Sequence, residues 1–328
     1  MKPLVRRFGS VVLALHLLAL SGLPGRAADA PEALAKFSVF TSLRASDIGA
    51  DTVLGKPGPS LGLSRGVGVQ TCYWLPLAPE AAAKFVQMWN PTPHAELGVF
   101  AYKFSSDFSD LSFGGASPQQ WLAEKSRRAV AALAEGDLNL TKKEAESLAA
   151  ASDPAEGWRS ILAGREAALY SGAPYEGPGK PVNPGEELRA LVSADPKVRQ
   201  QMGPALRAVG LFGNGGGEPL RHWEFLTAER HGVLTLGLSA TAAGEDGSWQ
   251  LADLDYYSSG SYDVSVTLYS FRPWTVDGKA GSLVWEYDLI ASPSVAESGG
   301  GMEGMAVASL FQREVKKSVH LMKADAGK

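Results

Sequence analysis

The segment Tyr262–Phe271, which reads YDVSVTLYSF, is the clearest indication of the fold in this sequence. Every second residue from Tyr262 to Leu268 is apolar or aromatic, and the residues between them are Asp263, Ser265 and Thr267. Successive side chains of a strand point to opposite faces of a sheet, so one face is buried and the other is at least partly solvated. This pattern is typical of an antiparallel sheet.

Further strands are predicted on both sides of this stretch, joined by short connections rich in Gly, Asp and Ser. The candidates are Val67–Leu77, Leu97–Phe104, Trp223–Thr227, Val233–Ala240 and Leu283–Ile290. Pro79 begins a helix that ends before Asn90-Pro91. The tract Gly55–Ser60 (GKPGPS) is rich in turn residues and is predicted to be irregular.

A long amphipathic helix is predicted from about Met302 to Lys323. Its apolar stripe consists of Met305, Ala308, Phe311, Val315, Val319 and Met322, and its polar side carries Arg313, Lys316, Lys317 and His320. The order of elements predicts an α+β fold in which an antiparallel sheet packs on this C-terminal helix. The curved sheet of lipid-binding helix-grip domains is one such arrangement, an analogy of shape that carries little functional weight.

The middle of the chain is predicted to be a helical insertion, because it contains several residue patterns that are typical of helix starts. Thr141 and Glu144 form a capping box, and proline follows a capping residue at Ser117, Asp153 and Asp195. Gly203-Pro204 is expected to kink or split the last helix. The predicted organisation is 1–28 signal peptide, 29–116 strand–helix–strand region, 117–210 helical region and 211–328 sheet plus C-terminal helix, with 29–328 forming one composite domain.

The N-terminus has the layout of a secretory signal peptide. Lys2, Arg6 and Arg7 precede the apolar run Val11–Leu20, which is too short to span a bilayer comfortably. Gly and Pro residues and a small-residue stretch follow, so cleavage is expected near Ala27/Ala28. We therefore predict an exported protein, periplasmic or extracellular, with no stable membrane span after cleavage.

Charge and cysteine content limit the possible partners. The 328 residues carry a net charge of −4, and removal of residues 1–28 takes four basic and no acidic residues, which leaves −8. An acidic surface without a basic stripe argues against nucleic acid as a partner. Cys72 is the only cysteine, which excludes an intrachain disulfide and a multi-cysteine metal site. No cofactor or metal is predicted.

Two groups of residues are candidates for catalysis. Gly62–Gly66 is a literal G-x-S-x-G around Ser64, but a nucleophile elbow needs a strand before the serine and a helix after it, and a strand is predicted after Ser64. His222 and Glu224 share a strand face, and His231 could return beside them across a hairpin. A polar strand rim is the simpler interpretation of that group.

Two carboxylate pairs have the same spacing of two residues. Asp253 and Asp255 share a face if their segment is extended, as do Glu286 and Asp288. Paired carboxylates can divide acid and base roles, but their separation in space decides this. A solvated strand face is the simpler and favoured interpretation of both pairs.

Aromatic residues are enriched in the last strand-rich segment, and ordinary half-buried strands account for most of them. Four of them are predicted to line a ligand site: Tyr257, Tyr262, Trp285 and Tyr287. The leading hypothesis is an exported, non-enzymatic protein that binds an apolar or amphipathic ligand, or an envelope partner, between its sheet and long helices. The alternatives are a secreted hydrolase, using Ser64 or the His222/Glu224/His231 group, and a structural envelope protein.

Overall fold

The computed structural model describes residues 30–178, 181–213, 218–245, 247–297 and 301–328. Within them, eight strands form one antiparallel sheet. They are β1 (Val53–Pro57), β2 (Gly66–Leu75), β3 (Val99–Lys103), β4 (Leu220–Ala228), β5 (His231–Ala243), β6 (Trp249–Ser258), β7 (Val264–Val276) and β8 (Lys279–Ala291). The order across the sheet is β1-β2-β8-β7-β6-β5-β4-β3. The predicted α+β class with an antiparallel sheet is confirmed.

Eleven α-helices are present in the described residues. They are α1 (Ala30–Ala35), α2 (Pro79–Gln87), α3 (Ser117–Arg127), α4 (Ala129–Glu135), α5 (Lys142–Ala150), α6 (Pro154–Ala168), α7 (Pro184–Ser193), α8 (Pro196–Gln201), α9 (Gly203–Ala208), α10 (Pro293–Glu297) and α11 (Gly301–Ala326). The helices α3 to α9 all lie between β3 and β4, which are neighbours in the sheet. The helical middle is therefore inserted between two adjacent strands.

The helix starts at Thr141, Asp153 and Asp195 follow the capping rules. The predicted cap at Ser117 is wrong, because α3 begins at Ser117 itself and its N-cap is Ala116, which makes no side-chain capping hydrogen bond. The Thr141 hydroxyl accepts a hydrogen bond from the Glu144 backbone N–H at 3.1 Å, and the Glu144 carboxylate accepts from the Thr141 N–H at 2.7 Å. Both bonds satisfy amides that the helix leaves unpaired. The predicted interruption at Gly203-Pro204 is confirmed, because α8 ends at Gln201 and α9 begins at Gly203.

Helices cover both faces of the sheet. On one face, Trp223 and Trp285 belong to the larger hydrophobic core, which also takes side chains from the helical middle. There Trp158 is fully buried, and its indole Nε1–H donates to the Ser126 hydroxyl at 2.8 Å. On the other face, α2 and α11 lie over a smaller core that includes Leu251. The sheet is thus the middle layer of three.

The C-terminal helix packs on one edge of the sheet. Val315, Val319 and Met322 of α11 are buried in the same cluster as Val53 of β1 and Tyr73 of β2. Contacts of α11 with the sheet concentrate on these two strands, and α2 covers part of the face beyond them. The predicted packing of sheet on terminal helix is therefore confirmed in part.

The far end of α11 is held by polar contacts. The Asp325 carboxylate accepts a hydrogen bond from the Trp89 indole N–H at 2.9 Å and lies 2.7 Å from Nε2 of His94. The Lys323 ammonium donates to the carbonyl of Thr52 at 3.1 Å. The segment after α2 and the chain before β1 therefore both bind the end of the helix.

Two sequence expectations need correction. The tract Gly55–Ser60 was predicted to be irregular, which is wrong for its first three residues, because β1 runs through Pro57. Gly and Pro are tolerated there because β1 is an edge strand and pairs only with β2. The strand β6 was not predicted. The expected signal peptide, residues 1–28, lies outside the described residues.

None of the helices in the described part of the chain combines the length and the apolar composition that crossing a membrane requires.

Candidate functional site

Five carboxylates lie on the sheet face that carries α2 and α11. They are Glu224 on β4, Asp253 and Asp255 on β6, and Glu286 and Asp288 on β8. Alternation places the β6 pair on the side of Leu251 and the β8 pair on the side of Val284, both of which are buried beneath α2 and α11. Glu224 lies opposite to Trp223, whose side chain is in the core of the other face. We call this surface the acidic face.

His222 reaches the acidic face across a glycine. In the register, His222 of β4 pairs with Gly237 of β5, and Gly237 pairs with Asp255 of β6. A Cβ atom at Gly237 would lie only 2.0 Å from Nε2 of His222. The missing side chain therefore leaves the space in which the imidazole lies, and Nε2 comes within 3.6 Å of Oδ1 of Asp253 and 3.9 Å of Oδ1 of Asp255.

The His222 ring is buried but weakly bonded. Its side chain is 2% exposed, and its Nδ1 has no hydrogen-bond partner among the described residues. Both distances from Nε2 to the aspartates are longer than a hydrogen bond. A buried polar group without a partner carries a desolvation cost, so this ring is one that a ligand or an ordered water would stabilise.

Asp255 is held in place by two hydroxyls. Its Oδ2 accepts hydrogen bonds from Tyr262 at 3.0 Å and from Ser265 at 2.8 Å. Its side chain is 16% exposed and that of Asp253 is 31% exposed, so the cluster reaches solvent through its aspartates. The arrangement joins a buried imidazole to carboxylates that an outside molecule can contact.

In the part of the chain that the structure describes, no lysine or arginine is ion-paired to the carboxylates of the acidic face. Among the described residues, none of its five carboxylates forms an ion pair with either residue type, and His222 is the only basic group within 4 Å. Burial raises the pKa of Asp253 to about 7, and burial with the charges of Asp255 and Asp253 raises the pKa of Glu224 well above its ordinary value. Burial also lowers the pKa of His222. Near neutral pH the site therefore holds a protonated Glu224 and a partly ionised Asp253 beside an uncharged imidazole.

The carboxylates of β8 form a second, more enclosed pair. The Thr71 hydroxyl donates to Glu286 at 2.9 Å, and the Thr267 hydroxyl donates to Asp288 at 3.1 Å. Burial raises the pKa of Glu286 to about 7, and burial with the charge of Glu286 raises the pKa of Asp288. Glu286 is only 5% exposed, so this pair is less accessible than the aspartates of β6.

Aromatic rings border the His222 cluster. The ring centroid of Tyr102 on β3 lies 5.5 Å from that of His222, and Phe104 lies 5.0 Å from Tyr102. Both aromatic side chains are partly exposed. The site thus combines charge with an apolar border.

The four predicted ligand-lining residues do not converge. Trp285 and Tyr287 are fully buried, and Tyr257 is 1% exposed, all three in the core of the opposite face. The Trp285 indole donates to Gln70 at 2.9 Å, and the Tyr257 hydroxyl donates to the carbonyl of Asn139 at 3.3 Å. Tyr262 differs, because its hydroxyl contacts Asp255 on the acidic face. Ligand lining by these four residues stays a prediction.

The predicted His222/Glu224/His231 group is not assembled. His231 pairs with Ala228, six residues before the position opposite His222, which is about 20 Å along the strand. Its ring stacks on Trp121 with centroids 4.1 Å apart. Asp253 and Asp255 approach His222 instead.

Ser64 lies in an exposed turn that leads into β2, and no helix follows it. A nucleophile elbow has a strand before its serine and a helix after it. Here a strand follows Ser64, as the sequence predicts, so the elbow is not formed. Among the described residues, Ser64 has no hydrogen bond to a histidine.

The sequence did not predict that Gly237 and Tyr102 belong to this site. Gly237 sits inside the apolar stretch of β5, where a glycine signals close approach of another group. That signal was present, but it does not say which group approaches. Tyr102 comes from the far edge strand, and only the strand order brings it beside β4.

No protein-family model matches this chain, and no curated protein is significantly similar to it. No group of three or more His, Cys, Asp and Glu among the described residues has the arrangement needed to hold a metal ion. The chemistry of the acidic face is therefore the basis on which a function can be argued.

Proposed function

We propose that this is an exported protein that binds an amphipathic ligand with a cationic, hydrogen-bond-donating group, such as an ammonium, on the acidic face. The observation that carries the proposal is the placement of His222, Asp253 and Asp255 together without a lysine or arginine ion-paired to them among the described residues. A cation would supply the missing charge, and its N–H groups would satisfy the carboxylate oxygens.

The border of the site supports an apolar part on the ligand. The rings of Tyr102 and Phe104 lie beside the imidazole, and aromatic rings attract both alkyl chains and ammonium groups. The leading hypothesis from the sequence thus keeps its ligand class but moves its site. The proposed ligand site is bordered by the rings around His222 and not by the aromatic residues of β8. The helix-grip analogy stays a prediction.

Export is part of this proposal. It is supported by the basic residues, short apolar run and small-residue stretch of residues 1–30. Intact mass and N-terminal sequencing of protein from a secreting host test it. We expect loss of the first 27 or 28 residues, and an unprocessed chain retained inside the cell would contradict it.

Binding is tested with three ligands of equal chain length: octylammonium, octanol and octanoate. We expect octylammonium to bind best, because only it can pair with the acidic face, and octanoate to bind worst. The D253N/D255N variant keeps one acceptor oxygen at each position but cannot ionise, so its affinity for octylammonium should fall about tenfold or more. Equal binding of all three ligands would contradict the proposal.

The control for this experiment is E124Q/E146Q. Glu124 and Glu146 are exposed on α3 and α5, in the layer on the other side of the sheet. Like D253N/D255N, this variant replaces two carboxyl groups by amides. An equal loss of affinity in both variants would mean that overall charge, and not the acidic face, attracts the ligand.

A hydrolase is the second candidate, and one observation favours it. The raised pKa of Glu224 keeps a proton available, whereas Asp253, with a pKa of about 7, is partly ionised near neutral pH. Such a pair can divide the roles of general acid and general base. A broad screen of esters, glycosides and peptides with wild type and with H222A and D253N tests this, and an inactive wild type would remove its support.

The third prediction, a structural envelope protein, differs from both in needing no small ligand. Its test is capture of the chain from envelope fractions by a specific partner. We expect the D253N/D255N variant to be captured as well as wild type if that role is the true one, since the acidic face would not be involved.

A further inference from the structure

A second site lies on the outer side of the C-terminal helix. An open cleft of about 780 Å³ runs along α11, and Glu96 from the turn before β3 forms part of its lining. Its lining consists of Glu96, Ser309, Gln312, Arg313, Lys316, Lys317, His320 and Leu321. The cleft is within the size range of small-molecule sites.

The charge of this cleft is opposite to that of the protein. Among the described residues that line it, three are cationic and His320 is a fourth basic group, whereas Glu96 is the only acid. At the rim, Glu314 pairs with Arg313 at 3.2 Å and with Lys317 at 3.5 Å. Lys316 and His320 form no ion pair among the described residues. The chain as a whole carries −4, so this is a local excess of positive charge.

The pKa of the His320 imidazole responds to the positive charges around it. Burial and the positive charges of Lys323 and Lys316 lower its pKa. The imidazole lies one helical turn from both lysines, since they are four residues before it and three after it. An anion bound in the cleft would act in the opposite direction.

The cleft also has an apolar component. Leu321 and the alkyl chains of the lysines form part of its wall, and lysine stems commonly cover apolar surface in this way. Leu310 is 55% exposed and lies on the helix face of Lys317 and Leu321, at spacings of seven and eleven residues. Cationic groups beside exposed apolar side chains on one helix are the features of a helix that rests on a membrane surface.

We propose that the cleft along α11 binds the phosphate headgroup of an anionic lipid and docks the protein on a membrane surface. The phosphate lies between Lys316, Arg313 and His320, and Leu310 and Leu321 contact the adjoining acyl region. A free phosphate ion uses the same charges but neither leucine. This site is independent of the acidic face, which is on the other side of α11.

The test is sedimentation of the full chain with vesicles of phosphatidylcholine alone and with added phosphatidylglycerol. We expect binding only to the anionic vesicles, and binding that weakens with salt. The R313Q/K316Q variant should bind about 30-fold more weakly, because two cations near a charged surface are lost. The K84Q/K279Q control removes two exposed lysines elsewhere and should bind as wild type does.

Two further measurements separate the lipid from other anions. The K316R variant keeps the positive charge and should bind anionic vesicles as strongly as wild type does. The His320 imidazole, followed by NMR, should show a raised pKa on addition of anionic vesicles. Equal loss of binding in both double variants, equal binding to uncharged vesicles, or a His320 response to inorganic phosphate without vesicle binding would each overturn the proposal.

Discussion

The absence of a side chain at Gly237 creates the space over which the His222 imidazole lies. A methyl group there would come within 2.0 Å of Nε2, and the ring is enclosed and cannot turn away without disturbing its neighbours. The position of the imidazole, and with it the acidic face as a site, therefore depends on one glycine inside a strand.

The G237A variant tests this dependence. We expect a loss of about 1 to 3 kcal/mol in the free energy of unfolding, because the added methyl group overpacks a closed site. Affinity for octylammonium should fall at the same time. Urea unfolding and calorimetric titration measure the two effects, and a G237A protein with unchanged stability and affinity would contradict this account.

The matched control is G164A. Gly164 is exposed inside α6, and a Cβ atom there would meet nothing within 4 Å. The same chemical change should therefore stabilise the protein by about 0.5 to 1 kcal/mol, because alanine favours the helix more than glycine does.

Among the elements, α11 packs on β1 and β2, and this contact joins the C-terminus to the start of the sheet. Met322 is 4% exposed there, whereas Leu310 on the outer side of the same helix is 55% exposed. We expect M322A to cost about 2 to 4 kcal/mol and L310A less than about 0.5 kcal/mol in the free energy of unfolding. Similar values for the two variants would mean that the helix does not depend on this contact.

The elements were largely predictable from local patterns. Period-two alternation located β7, and capping residues located the starts of α5, α6 and α8 in the middle region. The strand β6 was not predicted, because Asp253 and Asp255 lie inside it and aspartate is depleted in strands. Local rules are often broken at functional positions, so this miss coincides with the candidate site.

The site itself was predictable only in part. The spacing of two residues between His222 and Glu224, and between Asp253 and Asp255, correctly places each pair on one face. Their approach across Gly237 depends on the order and register of β4, β5 and β6, which involve contacts between distant parts of the chain. Nothing in a single strand specifies that register.

At the scale of the whole molecule, the buried carboxyl groups make stability depend on pH. Asp253 and Glu286 have pKa values of about 7 in the folded protein, against ordinary values of 3.8 and 4.5. Each holds its proton more tightly when folded, so its stabilising effect is complete below pH of about 4 and is lost as pH rises through about 7. The lowered pKa of His222 acts in the opposite direction near pH 6.5, but it is one group against several.

We therefore predict that the melting temperature falls between pH 5 and pH 8. The D253N/E286Q variant should show a flatter dependence, because it lacks two of the titrating groups. Thermal unfolding followed by circular dichroism across this range measures both. A melting temperature that rises steadily from pH 5 to pH 8 in wild type would contradict the charge states assigned to the acidic face.

The most direct test of the acidic face as a cation site is the proton balance of ligand binding. An ammonium beside Asp253 and Asp255 favours their ionised forms, so binding should release protons near pH 7. Titration of the protein with octylammonium in PIPES and in MOPS, which differ in ionisation enthalpy, measures this release. We predict different heats in the two buffers for wild type and a much smaller difference for D253N/D255N. Identical heats in both buffers for wild type, or no binding at all, would contradict the account.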